Sequence, residues 1–557
     1  MFRASDGQPR ISGWTAAGIF ALLTVVFTWP QAARLLSVPD SLDTTFSMWR
    51  VAWIAHQLVA DPAHLFDANI FYPLKHTLAY SDAVLAEGLA GAPLHWMGVP
   101  TVVVYNLLVL SGFWMSALGA FLLVRDLTKS SAAGIVGGMI YAFAPFRFDH
   151  LIHLEMLWAQ WIPLAMWMMH RTLQTGKWRH GIATGVLIGL QGLSCVYYTI
   201  FLATILVVVG PVLLTTAAPG MWKRATLSLA AGALVTIAML LPYARAYNTA
   251  RADVGVRERM LTLQGFSVGP KHYLVATPNN VLYGQATKSI SVHERRLFMG
   301  FLVMGLMVAG LWPPINRVRI AYAMALAIAV DISFAHRGLL LGWLYDHVSV
   351  YQGLRVPTRI GQLALLAAAV LAGFGVARVL SWIEARRSHL VRRAFLVICL
   401  VVGAEYLMYP VPLVPVPTQA SASSAWLRDQ PAAPVAVLPV PRHNVDWRRF
   451  IIESRYEFES IFHWRPLVNG YSGFLPPSFY VNNERLLGFP SDEAVAHLRQ
   501  LGVGYVVVRE KYYGRYDYRK VVEAADRRSD LRGVGPFQEG EFETRIYLSI
   551  LKAPGRN

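Results

Sequence analysis

Only two cysteines occur in 557 residues, Cys195 and Cys399. Both lie in apolar segments, so the chain offers neither a disulfide framework nor a cysteine metal site. Charge is scarce too: Asp, Glu, Lys and Arg make up 15% of the chain, against roughly 25% in an average soluble domain. No repeat with a period of about 20 to 50 residues is present, which argues against a solenoid. What is abundant is apolar: 55% of residues are hydrophobic, the mean hydropathy is +0.41, and apolar runs of about 18 to 22 residues recur through the first three-quarters. This texture excludes a soluble globular enzyme, a disordered chain and a coiled coil, and defines a polytopic α-helical membrane protein. The 50 basic and 33 acidic side chains give a net +17, which in a soluble protein would suggest a nucleic-acid partner. Here the placement of the charges accounts for them.

The first apolar run, Trp14 to about Leu36, is too long for a signal-peptide core and no A-x-A-like site follows it. Arg3 and Arg10 precede it, and Asp40, Asp43, Asp61, Asp67, Asp82 and Glu87 follow it. The positive-inside rule therefore puts the N-terminus in the cytoplasm. The stretch Gly181 to Ala217 would be roughly 55 Å long as one helix, against a hydrocarbon core of about 30 Å. With Lys177 and Arg179 at one end and Lys223 and Arg224 at the other, it reads as a hairpin turning near Ser194 to Tyr198. Continued along the chain, the same logic gives about eleven spans with the C-terminus outside. Every short loop assigned to the cytoplasm then carries at least two Lys or Arg, ending in the cluster Arg386, Arg387, Arg392 and Arg393.

The expected organisation is a transmembrane domain over residues 1–412, with outer loops at about 37–100, 147–156, 248–297 and 335–358. A Pro/Ser-rich linker follows at 413–424, and then a soluble extracytoplasmic α/β domain at 425–557. In that domain, strands are predicted over Pro434 to Val440, Gly502 to Arg509 and Thr544 to Leu551, and an amphipathic helix over Ser491 to Leu501.

Chemistry-bearing residues concentrate in the expected outer loops. Asp40 and Asp43, three apart, would share a face if that stretch is helical, close enough to hold a divalent cation or to raise one member toward general-base duty. The alternative for these two, and for Asp82, is a solvated loop acid or a helix cap. Asp149, His150, His153 and Glu155 could ligate metal or hydrogen-bond a sugar, but their spacing matches no metal signature. Arg355 and Arg359 flank Pro357 at the outer start of a helix, where backbone donors and two guanidinium groups suit a phosphate; pairing with lipid headgroups or acids is the alternative. Arg337 and His336 could join them. Asp331 is costly near a helix end unless it has a partner or faces a cavity. Tyr197 and Tyr198 either line the outer cavity or pack a turn. His463-Trp-Arg-Pro-Leu-Val-Asn-Gly-Tyr-Ser-Gly473 reads as a loop.

Several of these features together resemble a known family. An acidic pair after the first helix, a long outer loop, about eleven spans and a C-terminal outer domain resemble the GT-C superfamily, integral-membrane glycosyltransferases that use polyprenyl-phosphate-linked sugars. Asp43 before Met48-Trp-Arg-Val-Ala-Trp53, Phe66-Asp-Ala-Asn-Ile-Phe-Tyr-Pro73, Leu78-Ala-Tyr-Ser-Asp82, Leu354-Arg-Val-Pro-Thr-Arg359 and the 463–473 loop look similar to patterns in a bacterial group of that superfamily. The resemblance implies an Asp base at Asp43, with Asp40 second. Beside it, the reading of the residues assigns phosphate contacts to Arg355, Arg359 and Arg337, and substrate contacts to Asp82, His153, Glu155, Tyr197 and Tyr198. Mg2+ or Mn2+ would fall to Asp43, Asp82 and Glu155, although two residues separate Asp40 from Asp43 where a contiguous Asp-x-Asp would have one. The implied partners are a polyprenyl-phosphate-linked sugar, a glycan, lipid or protein acceptor, and the bilayer of a bacterial cytoplasmic membrane, with no nucleic acid. Base and phosphate contacts lie far apart in sequence and make one site only if the fold joins the first and fifth outer loops. The rival readings are a lipid-linked polysaccharide polymerase or ligase, a flippase or transporter of lipid-linked saccharides, and a non-catalytic assembly scaffold. A transporter predicts ionisable residues at mid-membrane depth, and apart from Asp331 the spans carry almost none.

Overall fold

The computed structural model describes residue 9 and residues 11–254, 265–442 and 450–549. Arg3, Arg10, residues 255–264 of the expected loop at 248–297 and the last two residues of the expected closing strand lie outside the described residues. The chain is mostly helical and divides into two compact units. One comprises Met1–Leu35, Asn106–Tyr243 and Val256–Leu413; the other comprises Leu36–Tyr105, Ala244–Gly255 and Val414–Asn557. The unit that contains the C-terminal domain thus also takes in the segment expected as the first outer loop.

Among the described residues, four helical segments are long and apolar enough to cross a membrane: Thr101–Thr128, Val196–Leu214, Trp222–Val254 and Pro357–Glu405. Shorter apolar helices occur at Gly13–Phe27 and Phe301–Leu311. The first helix is shorter than expected, stopping at Phe27 rather than near Leu36. Pro30, which has no N–H to continue the ladder, follows directly. In the stretch 181–217 the helix breaks at Cys195, between Trp178–Ser194 and Val196–Leu214, inside the predicted turn. Helices Trp178–Ser194 and Trp222–Val254 run in the same direction, with Gly181 against Ser228 and Gly192 against Leu240, so the helix between them returns. Their backbones nearly touch: a Cβ on Gly185 would lie 1.9 Å from the Gly232 carbonyl oxygen.

In the second unit, four strands form one mixed sheet: β1 (Val435–Leu438), β2 (Tyr505–Arg509), β3 (Leu531–Glu539) and β4 (Phe542–Ser549), in the order β1-β2-β4-β3. β1 and β2 are parallel, with Val435 opposite Tyr505, while β4 is antiparallel to both β2 and β3. Alternate residues feed two cores. Ala436, Leu438, Val506 and Val508 pack with Val495 and Leu498 of helix Asp492–Gln500, and Val435, Val437, Tyr505 and Val507 pack with Tyr456 of helix Ile451–Ser460. A strand covered on both faces has no polar side, which is why β2 reads as a continuous apolar run.

The 463–473 loop extends this sheet. Val468 N–H donates to Val435 O (2.9 Å), and on its other side Phe71 N–H donates to Asn469 O (3.0 Å) and Tyr72 N–H to Leu467 O (2.8 Å). Gly470 is required here, because a Cβ would meet the Phe71 ring at 2.6 Å. Phe71 and Trp464 hold φ of +56° and +54°, backbone strain that the surrounding packing must overcome.

Candidate active site

In the second unit, helix Leu42–Ala60 starts from Ser41, whose Oγ accepts the Asp43 N–H at 3.3 Å. Asp40 lies before this cap, and its exposed carboxylate pairs with Arg455 at 3.0 Å. Asp43 sits in the first turn, where the helix dipole favours a carboxylate, and its Oδ1 accepts the Tyr471 hydroxyl at 3.1 Å. The two acids therefore do not share a helix face, and the expected Asp40–Asp43 pair is not formed. The helix start leaves Asp40 outside the regular turns, and the two side chains take different partners, Arg455 and Tyr471.

The 469–471 segment is held by two acids that sequence reasoning missed. Glu457 Oε1 accepts the Tyr471 N–H. Glu453 accepts the Gly470 N–H at 3.0 Å and the Asn469 amide at 3.3 Å. Asn469 in turn pins β1 by donating to Val437 O (3.0 Å) and accepting its N–H (2.7 Å). Both glutamates are fully buried. Burial pushes the Glu453 carboxyl up to about 8, against which its bonds to Gly470 and Asn469 act only in part, and burial raises Glu457 as well. Their spacing of four on one helix is the sequence signal that could have flagged them. Asp82 is buried in the same unit, where its backbone carbonyl accepts the buried Arg50 guanidinium.

In the first unit, a second polar centre gathers around Arg359. Its guanidinium donates to Glu294 Oε1 at 2.7 Å and 3.2 Å and lies 5.2 Å from the Tyr197 ring centroid. The Tyr197 hydroxyl accepts the Arg355 N–H at 3.0 Å. Glu294 Oε2 is 3.7 Å from His150 Nε2, and the rings of His150, His153 and His293 lie 5.5 to 6.4 Å apart. Asp149 pairs with Arg296. Burial alone would raise Glu294, but the Arg359 guanidinium holds its carboxyl below the usual range. Burial drives His150 well below its ordinary value and so keeps it neutral. Glu294 occupies a left-handed φ of +64°, unusual for a residue with a side chain. The run His293-Glu-Arg-Arg296 in a weakly charged chain was the available clue.

The structure therefore brings Arg355, Arg359 and Tyr197 together and buries His153, Glu155 and Tyr198 in the same unit. Arg337 is exposed on the separate turn Ala335–Arg337. Arg359 has an acid partner, so its charge is already matched before any phosphate arrives. Asp331 is partnered too, accepting the Leu339 and Leu340 N–H groups at 2.8 and 2.9 Å to cap helix Leu340–His347. Arg147 is buried and donates to Met156 O (3.0 Å) and Leu157 O (2.8 Å), closing the 147–156 loop on itself. Among the described residues no group of three or more His, Cys, Asp or Glu is placed to hold a metal ion. Asp43 and Asp82 belong to one unit and Glu155 to the other.

No family model matches the chain, and no curated protein matches it. Among solved structures the chain is similar to the crystal structure of ArnT from Cupriavidus metallidurans in the apo state. The two share 11% identity over 96% of this chain and 97% of that one, with a TM-score of 0.47.

Proposed function

We infer that the protein is an integral-membrane glycosyltransferase of the GT-C type. It moves a sugar from a polyprenyl-phosphate donor to an acceptor hydroxyl on the extracytoplasmic side of a bacterial cytoplasmic membrane. The observation that carries this reading is Asp43: a carboxylate in the first turn of a helix, fixed by the Tyr471 hydroxyl through a buried network of its own, in a chain rich in apolar helices. A fixed carboxylate suits general-base duty because orientation toward the reacting proton is set beforehand.

Asp43 takes the proton of the acceptor hydroxyl as that oxygen bonds to the anomeric carbon. The carbon–oxygen bond to phosphate breaks, polyprenyl phosphate leaves with the electron pair, and the configuration inverts. A phosphate leaving group needs no acid. Within the first unit, Arg359, matched by Glu294, supports Tyr197, which in turn accepts the Arg355 N–H, and Arg355 is the residue assigned there to phosphate. The divalent cation implied by the resemblance finds no three-ligand set among the described residues, so no step is routed through it.

The test is sugar transfer by purified protein over a panel of polyprenyl-phosphate sugars, with Asp43→Asn and Arg355→Ala beside the wild type and EDTA in a parallel arm. Release of polyprenyl phosphate that Asp43→Asn abolishes, that Arg355→Ala slows chiefly through KM and that EDTA leaves unchanged is the expected result. Equal turnover by wild type and Asp43→Asn would remove the base from this reading, and loss of turnover in EDTA would restore the metal.

A further inference from the structure

The second unit contains a cavity of about 560 Å3 that no step of this chemistry uses. It opens between residues 38–45, the 414–422 segment, helix Ile451–Ser460 and the ends of β2, β3 and β4. Ser41 and Thr45 line it, whereas Asp43, about 200° around the helix from Thr45, turns to Tyr471 instead. The cavity is thus on the opposite face of the helix start from the proposed base.

Its walls combine two kinds of surface. Phe458, Phe462, Tyr512 and Phe542 offer aromatic rings. Between them stand three cationic and three acidic side chains: Arg455, Arg509 and Lys511 against Asp40, Glu459 and Glu539. Arg455 is tied to Asp40 at 3.0 Å, and Arg509 to Glu459 and, at 3.1 Å, to Glu539. These pairs fix planar, forked groups in place before any ligand arrives. Arg509, whose side chain is only 7% exposed, still has an Nε with no partner, and an unmatched buried donor of this kind is costly.

The wall selects among occupants by elimination. A purely apolar ligand would strip water from two ion-paired centres and give them nothing in return, a cost of several kcal/mol per ion. A phosphate or a nucleic acid would meet three carboxylates along with the cations, and a cationic ligand would meet the reverse. What matches equal numbers of donors and acceptors set among flat apolar rings is an uncharged polyhydroxylated ring. Its hydroxyls satisfy the forked groups, and its C–H faces lie on the aromatics. The volume falls within the range of small-molecule pockets, about 300 to 1,000 Å3.

We propose that this cavity is a binding site for a neutral oligosaccharide, separate from the Asp43 centre, that holds a glycan segment on the second unit. Asp40, which does not join Asp43, then has its role here. The site stands independently of the transferase reading, since it is tested by binding alone.

The experiment is calorimetric titration of the full-length protein in detergent with maltotriose, cellotriose, mannotriose and chitotriose. Tri-galacturonate and inorganic phosphate serve as charged probes. Variants Tyr512→Ala, Lys511→Ala and Asp43→Asn run beside the wild type, each checked by thermal unfolding. Lys511 is exposed, so its variant keeps the test open if Tyr512→Ala does not fold. The expected result is binding of at least one neutral trisaccharide that Tyr512→Ala or Lys511→Ala weakens about tenfold and Asp43→Asn leaves unchanged. Neutral binding that only Asp43→Asn removes would assign the sugar to the other centre and overturn the proposal. So would cavity-dependent binding of tri-galacturonate or phosphate alone, or no binding by any neutral probe. Failure of the Asp43 transfer assay with intact trisaccharide binding would sink the enzyme reading and leave this site standing.

Discussion

Tyr471 meets Asp43 across 428 positions of sequence, and the single hydrogen bond between them is the detail on which a base at Asp43 depends. A hydrogen bond to a charged group contributes about 1.5 to 3 kcal/mol, so Tyr471→Phe is expected to lower kcat about tenfold with KM unchanged, as read by initial rates of donor turnover. Glu453 makes a different prediction, on stability. Its folded carboxyl titrates at about 8 against an ordinary 4.5, so the folded state holds a proton that the unfolded chain has lost between those values. The contribution is complete below about pH 4.5 and is lost as the pH rises through about 8, a swing of a few kcal/mol. Thermal unfolding of the wild type should therefore show falling stability from pH 5 to 8, and Glu453→Gln should flatten that slope. A stability that rises with pH over this window, with no change in Glu453→Gln, would show the group to be ionised in the folded protein. Neither pairing could be read from sequence. Asp43 was visible as an acid after an apolar run, but its partner lay inside a loop with no period. Glu294, the partner of Arg359, is 65 positions from it.

Elements were more legible than contacts because periodicity is local. The break at Cys195, strands β1, β2 and β4 and helix Asp492–Gln500 all fall where the pattern of apolar residues predicts them. β3 escaped notice because Gly533 and the Gly535-Pro536 pair interrupt its alternation, and its register against β4 shifts between Val534 and Phe537. Close helix crossings were also hidden, since glycine in an apolar run looks the same whether or not a neighbour is there. Helices Phe301–Leu311 and Gly361–Arg387 cross on reciprocal glycines: a Cβ on Gly375 would lie 2.0 Å from Leu306 O, and one on Gly310 equally close to Leu371 O. Arg319 and Arg378 then donate to the carbonyls of Gly310 (2.9 Å) and Ala309 (3.1 Å) at the helix end. Gly375→Leu is therefore expected to destabilise by about 3 kcal/mol or more, read as a fall in unfolding temperature in detergent. Gly305→Leu, on the partner helix Phe301–Leu311 and with nothing within 4 Å of its added Cβ, should be tolerated. Equal loss in both variants would mean that the reciprocal crossing is not what holds these helices.

At the scale of the whole chain, the low charge content and the recurring apolar runs identified a membrane protein before any element was placed. The distribution of the +17 predicts which segments face the cytoplasm. Topology follows from that pattern because moving a Lys or Arg loop outward runs against the bias that sets insertion, whereas acidic loops are nearly neutral to it. Having only two cysteines makes the prediction directly measurable. In a Cys195→Ala, Cys399→Ala background, a single cysteine replaces either Arg179, exposed in the first turn of helix Trp178–Ser194, or Asp492, whose side chain is 96% exposed at the start of helix Asp492–Gln500. A thiol reagent that cannot cross the bilayer, applied to spheroplasts, should label Asp492→Cys at once and Arg179→Cys only after lysis. Labelling of Arg179→Cys in intact spheroplasts would invert the charge argument. Labelling of neither before lysis would place the C-terminal sheet in the cytoplasm, and with it Asp43 and Tyr471, whose segment belongs to the same compact unit. The donor would then have to be presented on the cytoplasmic leaflet, and the extracytoplasmic transfer proposed for Asp43 would have to be abandoned even if the chemistry survived.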